Sequence, residues 1–504
     1  MSSRISTHCF CLLITFLVAN PAWCQTGITA QVTLSKEIAE TPVKDGRIYL
    51  FFSSQSQRPP MFGPNWFNPE PFFRLDVDQV TPGTPVLLND NTVNMNRPMS
   101  DLPDGDYTVQ AILDHDFYYA APHNGPGNFF SEPQKVTIKE SALTSPLNLS
   151  LDQVVQDHVY EETAVVKFMK LDSELLAKFH DRQVTERALV VLPHSYDDNP
   201  DQHYPVNFVI TGFGGTLKQL QRRYQSGQPA AEDGQAEFIQ VYLTGQCKWG
   251  HHVYANSATN GPRGDMLVQE MIPAIDKRFR TIPEPTARFV GGHSSGGWSS
   301  LWLQVTYPDT FGGVWSTAPD PVDFRDWQGT NIYEPQANVY YNQDGSKKPL
   351  ARRGDRVLVS YPDFTVMDDT LGRGGQIRSF DAVFSPLDAD GLPATCWDRE
   401  TGIVKPEILK HWEKYDISLQ LKRNWNELAP KLEGKLRVYM GSADTFCLEG
   451  ATIKLGERLK ELGSDAVVEI FEGKDHSSLL TPELRSRIKR EMSDQFRKFH
   501  PENE

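Results

Sequence analysis

The chain has 504 residues, 39% of them apolar and 23% charged, with 36 glycines and 35 prolines. That composition fits a turn-rich globular protein and excludes a disordered, collagen-like or coiled-coil chain. The formal net charge of −15 argues against sequence-independent binding to phosphate backbones, so nucleic acid is not expected as a partner.

Residues 1–24 read as a signal peptide. Arg4 precedes an apolar run from Cys9 to Ala19, Asn20 and Pro21 break it, and Ala22-Trp23-Cys24 sets small residues at −3 and −1 before Gln25. Acylation of Cys24 is the weaker alternative, because Trp23 is bulky where that processing wants a small side chain. No later stretch approaches a membrane-spanning length of apolar residues, so no stable membrane insertion is expected. The mature protein is expected to be secreted or periplasmic. Cleavage would leave Cys247, Cys396 and Cys447, with neither a zinc spacing nor a disulfide framework. Whether Cys396 and Cys447 pair stays open.

Residues 25–158 read as a β-sandwich-like domain. Apolar residues alternate with period 2 over 28–34 and 106–113. Further short runs appear at 47–53, 84–88, 135–138 and 147–151, separated by Pro- and Gly-rich breaks. Two aromatic loops, Phe117-Tyr118-Tyr119 and Asn128-Phe129-Phe130, are expected to pack between domains.

From 159 to 504 the rhythm becomes strand–helix alternation. Strands are expected at 186–192, 206–211, 237–243, 287–291, 313–317, 436–441 and 466–471, with helices near 264–272 and 451–462. Uniformly apolar strands in this rhythm predict an α/β domain, a parallel sheet covered on both faces. Residues 320–434 interrupt the pattern and read as an inserted cap with one helix near 406–414. Within it, Asp388, Asp390, Asp398 and Glu400 lack calcium-loop spacing and read as solvated acidic turns.

The sharpest local signal is Gly292-His293-Ser294-Ser295-Gly296, between an apolar strand and a helix-forming stretch. Strand, Gly-x-Ser-x-Gly turn and helix make a nucleophile elbow, with Ser294 as the nucleophile. The amide of Ser295 then points at an oxygen bound beside Ser294. A serine hydroxyl needs a base, and in this architecture the acid and the histidine follow in that order, each after a strand. Asp444 follows the strand at 436–441 and His476 the strand at 466–471. Asp320 and Asp323, after the strand at 313–317, are the rival acids. The loop Thr211-Gly212-Phe213-Gly214-Gly215 follows an early strand and offers the Phe213 amide as a second oxyanion donor.

These motifs, with Arg187–Pro193, resemble the putative-esterase family of α/β-hydrolases, which includes esterase D, feruloyl and acetylxylan esterases, enterochelin esterases and mycolyltransferases. The resemblance spans about 163–499 and implies a Ser294–Asp444–His476 triad with Phe213 and Ser295 as oxyanion donors. Two departures stand out: Thr211 occupies a place where relatives usually carry histidine, and the insertion is long. The resemblance implies an exported serine esterase that cleaves acyl or aryl esters on carbohydrates through an acyl-enzyme, with no metal or organic cofactor. Acyl transfer or peptide cleavage by the same triad, or a non-catalytic carbohydrate-binding protein, are the alternatives.

Overall fold

The computed structural model describes residues 27–501, apart from 56, 57 and 117. The signal-peptide reading and Phe117 therefore lie outside the described residues.

The N-terminal region is a ten-stranded sheet whose first and last strands in the chain, Ala30–Leu34 and Leu147–Val154, pair in parallel. Its strand Val43–Ser53 lies between Phe72–Val80 and Gly105–Asp114. Alternate side chains of that strand go to different cores. Ile48, Leu50 and Phe52 join the sheet's own core, while Tyr49 and Phe51 join the large core of the second domain. Both faces are thus covered, which is why the run reads as continuously apolar. The expected aromatic contacts between domains also form. Arg187 lies over the Tyr118 ring and donates a 2.8 Å hydrogen bond to the Tyr119 hydroxyl, and Phe130 packs on the larger core.

The second sheet has eight strands in the order Val166–Asp172, Thr185–Val191, Ile239–Leu243, Val206–Ile210, Arg288–His293, Gly313–Thr317, Leu436–Gly441 and Val467–Phe471. The first two run antiparallel to their neighbours and the other pairs are parallel. This is the α/β-hydrolase architecture that the motifs imply. The first strand escaped the sequence reading because its composition, VKFMKLD, alternates with lysines at a sheet edge. Each parallel strand ends toward one rim, and the chemistry-bearing loops leave from that rim.

The stretch 320–434 is more ordered than one helix. It contains the hairpin Pro349–Arg353/Arg356–Ser360 and the helices Tyr361–Leu371, Gln376–Phe384, Pro406–Trp412 and Ile417–Leu432. The last packs beside Ser295–Thr306 and Glu449–Glu461, so it belongs to the helical layer of the sheet. An aromatic core of Phe324, Trp327, Phe384, Trp397 and Trp412 holds the insertion down. Two of its indoles find acceptors: Trp327 donates to the Tyr361 hydroxyl at 2.9 Å and Trp412 to Ser385 at 2.8 Å. Asp388 and Asp398 accept hydrogen bonds from backbone amides two to four residues on, closing exposed turns. Cys247, Cys396 and Cys447 are free and buried.

Candidate active site

Ser294 stands between the strand Arg288–His293 and the helix Ser295–Thr306 with φ 61° and ψ −126°. A non-glycine residue with that φ is strained by about 1–3 kcal/mol and needs its surroundings to hold it. Those surroundings demand glycine. A Cβ on Gly292 would come within 2.2 Å of the Gly296 carbonyl oxygen, and one on Gly296 within 2.1 Å of the Ile210 carbonyl oxygen. The tightness of the turn lifts Ser294, half-buried, to the rim of the sheet. Its hydroxyl makes no hydrogen bond to another described residue and stays free to turn.

The neighbouring Ser295 is different in kind. It is buried, and its hydroxyl donates to Asp320 Oδ2 at 2.6 Å. That engagement leaves Ser295 only its amide to offer. As the first residue of the helix its N–H has no intrahelical acceptor, and the helix dipole favours negative charge there.

His476 leaves the strand Val467–Phe471 and lies buried beside the elbow, its ring 4.7 Å from that of His293. Nδ1 is 2.7 Å from Oδ2 of the fully buried Asp444, whose other oxygen accepts the Phe446 amide at 2.8 Å. A carboxylate can only accept, so Nδ1 carries the proton and Nε2 is left as the basic nitrogen. Burial presses the imidazole toward neutrality. The hydrogen bond and charge of Asp444 outweigh it, with Asp320 and Asp475 adding, and hold the His476 pKa above 6.5. His293 has no such partner: burial and the neighbouring His476 push it down to about 3.

The rival acids are occupied elsewhere. Asp320 accepts from Ser295 and, at 3.4 Å, from Gln376, and burial raises its pKa to about 6. Asp323 is held by Arg325 through both oxygens, at 2.9 and 2.6 Å. Of the three carboxylates, Asp444 is the one that touches the histidine.

The loop after Val206–Ile210 closes the other side. A Cβ on Gly212 would sit 3.3 Å from Ser294 Cβ, so this backbone borders Ser294 directly. His251 braces the loop from beneath: it is buried, its pKa is lowered to about 4 by burial, and its Nδ1 accepts the Val253 amide at 3.1 Å. Nε2 therefore carries the proton and donates to the Thr211 carbonyl at 3.0 Å. Sequence reasoning missed this supporting contact. It also missed Trp66, whose ring meets that of Phe213 at 5.3 Å. The only sequence signal there is a pair of aromatics between asparagines in a Pro-rich loop, and its meaning depends on how the domains dock.

The family model described as Putative esterase matches residues 184–477, more than half of the chain, including Phe213, Ser294, Asp444 and His476. The chain belongs to the putative-esterase family. It is a serine hydrolase acting on carboxylic esters. Among curated proteins no sequence matches this esterase. Similar solved structures include a fluorophosphonate-binding serine hydrolase of Staphylococcus aureus, 14% identical, covering 66% of this chain and 99% of its own with a TM-score of 0.38. An S-formylglutathione hydrolase from Agrobacterium tumefaciens is 12% identical, covering 67% and 99% with a TM-score of 0.38. A ferulic acid esterase from Anaeromyces mucronatus is 12% identical, covering 67% and 94% with a TM-score of 0.31.

Proposed function

We propose that this esterase is exported and cleaves acyl or aryl esters on carbohydrates through an acyl-enzyme on Ser294. The observation that carries the mechanism is the 2.7 Å contact of Asp444 with His476 Nδ1, which leaves Nε2 as a base beside the elbow. Nε2 takes the Ser294 proton as the hydroxyl oxygen attacks the ester carbonyl. The imidazolium is stabilised by Asp444, and the amides of Phe213 and Ser295 hold the oxyanion. Collapse breaks the carbonyl–alkoxy bond, and the imidazolium returns its proton to the leaving alkoxide. Water, activated by the same nitrogen, then attacks the acyl-enzyme and releases the acid, restoring Ser294. Nothing in these steps calls for a metal or organic cofactor.

Export rests on the Arg4, apolar-run and Ala22-Trp23-Cys24 pattern, and the carbohydrate alcohol on family membership joined to export. A fluorophosphonate probe tests the chemistry: wild type is labelled covalently and Ser294→Ala is not. Labelling that survives Ser294→Ala moves the nucleophile elsewhere. Hydrolysis of acetylated and feruloylated oligosaccharides tests the substrate class. N-terminal sequencing of exported protein, expected to begin at Gln25, tests the cleavage.

A further inference from the structure

The N-terminal domain reaches the active site through one short loop. Trp66 places its ring 5.3 Å from Phe213 on the oxyanion loop and 5.1 Å, edge-on, from Phe364 on the helix Tyr361–Leu371. Phe67 stacks 6.3 Å from Phe446, and Phe446 lies edge-on to His476 at 4.9 Å. Four separate parts of the chain therefore meet at these two side chains: the β domain, the oxyanion loop, the insertion and the loop that carries the acid.

Behind them lies a cleft of about 350 Å³, walled by Trp66, Phe67, Val357, Val359, Phe364 and Met367, a size within the range of small-molecule pockets. The Phe446 ring stands between its Phe67 wall and the imidazole. Phe67 and Val357 are 42% and 49% exposed, so apolar surface at this mouth is left uncovered by the protein itself. The one charge in the lining, Asp363, is paired with Lys347 at 2.7 Å and repels nothing apolar.

We infer that Trp66 and Phe67 are specificity-determining residues of the esterase, forming the wall against which a ring-bearing acyl group packs. This rests on the ester-cleaving reading of Ser294. The acyl part is the portion that fits, because the cleft is bounded and apolar, whereas a polyhydroxylated alcohol needs an open polar surface. Flat rings match an aromatic lining through offset and edge contacts worth more than their area alone. The N-terminal domain then completes the substrate site rather than serving as a separate binding module.

The test compares kcat/KM for methyl 3-phenylpropanoate and methyl acetate in wild type, Trp66→Ala, Phe67→Ala and Phe67→Tyr. The preference for the phenyl ester is expected to fall about tenfold in each alanine variant and to be retained in Phe67→Tyr. A fall of both esters by one common factor, or no change in the ratio, overturns the inference. Phe67 is exposed enough that its alanine variant keeps the fold, so a misfolded Trp66→Ala does not decide the outcome. Binding of 3-phenylpropanamide to Ser294→Ala by calorimetry, lost in Ser294→Ala/Phe67→Ala, reads the cleft without turnover. Binding with no ester cleaved by wild type would sink the ester-cleaving reading alone; turnover without that binding would sink the cleft.

Discussion

Asp444 and Asp320 follow neighbouring strands and both act electrostatically on His476, but only Asp444 hydrogen-bonds to it. Asp444→Asn would present a donor to Nδ1 and impose the wrong tautomer, so kcat is expected to fall by about 10⁴, measured on any ester the wild type cleaves. Asp320→Asn keeps the contact to Ser295 and is expected to stay within about tenfold. Its mark is on the pH profile. The acid limb of kcat/KM reports deprotonation of His476, which Asp444 foremost and Asp320 secondarily hold above 6.5. Removing the Asp320 charge should move that limb to lower pH, and a limb that stays put would mean the charge is screened from the ring. The turn at Ser294 and the pairing of Asp444 with His476 were legible in the sequence because each residue is fixed by its place after a strand. Asp320 as a modulator was not legible, since its effect comes from distance and burial, which spacing along the chain does not encode.

The helix Tyr361–Leu371 ends on side chains from the other domain. Arg47 and Tyr49 donate to the Leu371 carbonyl at 2.8 and 2.7 Å, and Arg74 to those of Asp369 and Thr370 at 3.0 and 3.1 Å. These are last-turn carbonyls without intrahelical partners, at the negative end of the helix. Just beyond, Arg373 pairs at 2.7 Å with Asp114, which is 0% exposed at the end of the strand Gly105–Asp114. Removing one partner of a buried pair strands a charge, so Arg373→Ala is expected to cost about 3–5 kcal/mol, whereas Arg373→Met/Asp114→Leu should recover most of it. Thermal unfolding and hydrogen exchange over 361–384 measure both. An Arg373→Ala variant with wild-type exchange would show the helix anchored by other contacts. This helix was invisible in the sequence because most of its residues are buried, Tyr361, Phe364, Thr365, Met367, Asp368 and Thr370 among them. A helix covered nearly all round has no polar stripe, and its 3.6-residue period disappears. The central strands of the second sheet showed clearly for the opposite reason: a run covered on both faces of a sheet is short, apolar and bounded by turns.

Folding buries ionisable groups whose effects on stability run in opposite directions with pH. Asp368, on that same helix, is fully buried, and burial pushes its carboxyl up to about 7. One oxygen accepts the Arg378 amide at 2.9 Å; the other has no partner among the described residues. The folded chain therefore keeps this proton over a window, from about 3.9 to about 7, in which the unfolded chain has lost it. Its stabilisation is full below that window and is lost as pH rises through it. Asp368→Asn cannot lose that contribution, so its stability relative to wild type should climb by about 1.4 kcal/mol per pH unit from 4.5 to 7 and then level off. His252 has the reverse sign. Burial, then Arg263 and His251, hold its pKa well below 6.5, so below 6.5 the unfolded chain binds a proton that the fold refuses. His252→Asn keeps an acceptor for the Tyr254 amide, which Nδ1 now meets at 3.2 Å, and should gain on wild type as pH falls from 6.5 to 5. Thermal unfolding of the three proteins across pH 4.5–8 gives both differences. Parallel pH curves for either variant and the wild type would mean that the replaced group does not titrate differently in the folded and unfolded chains.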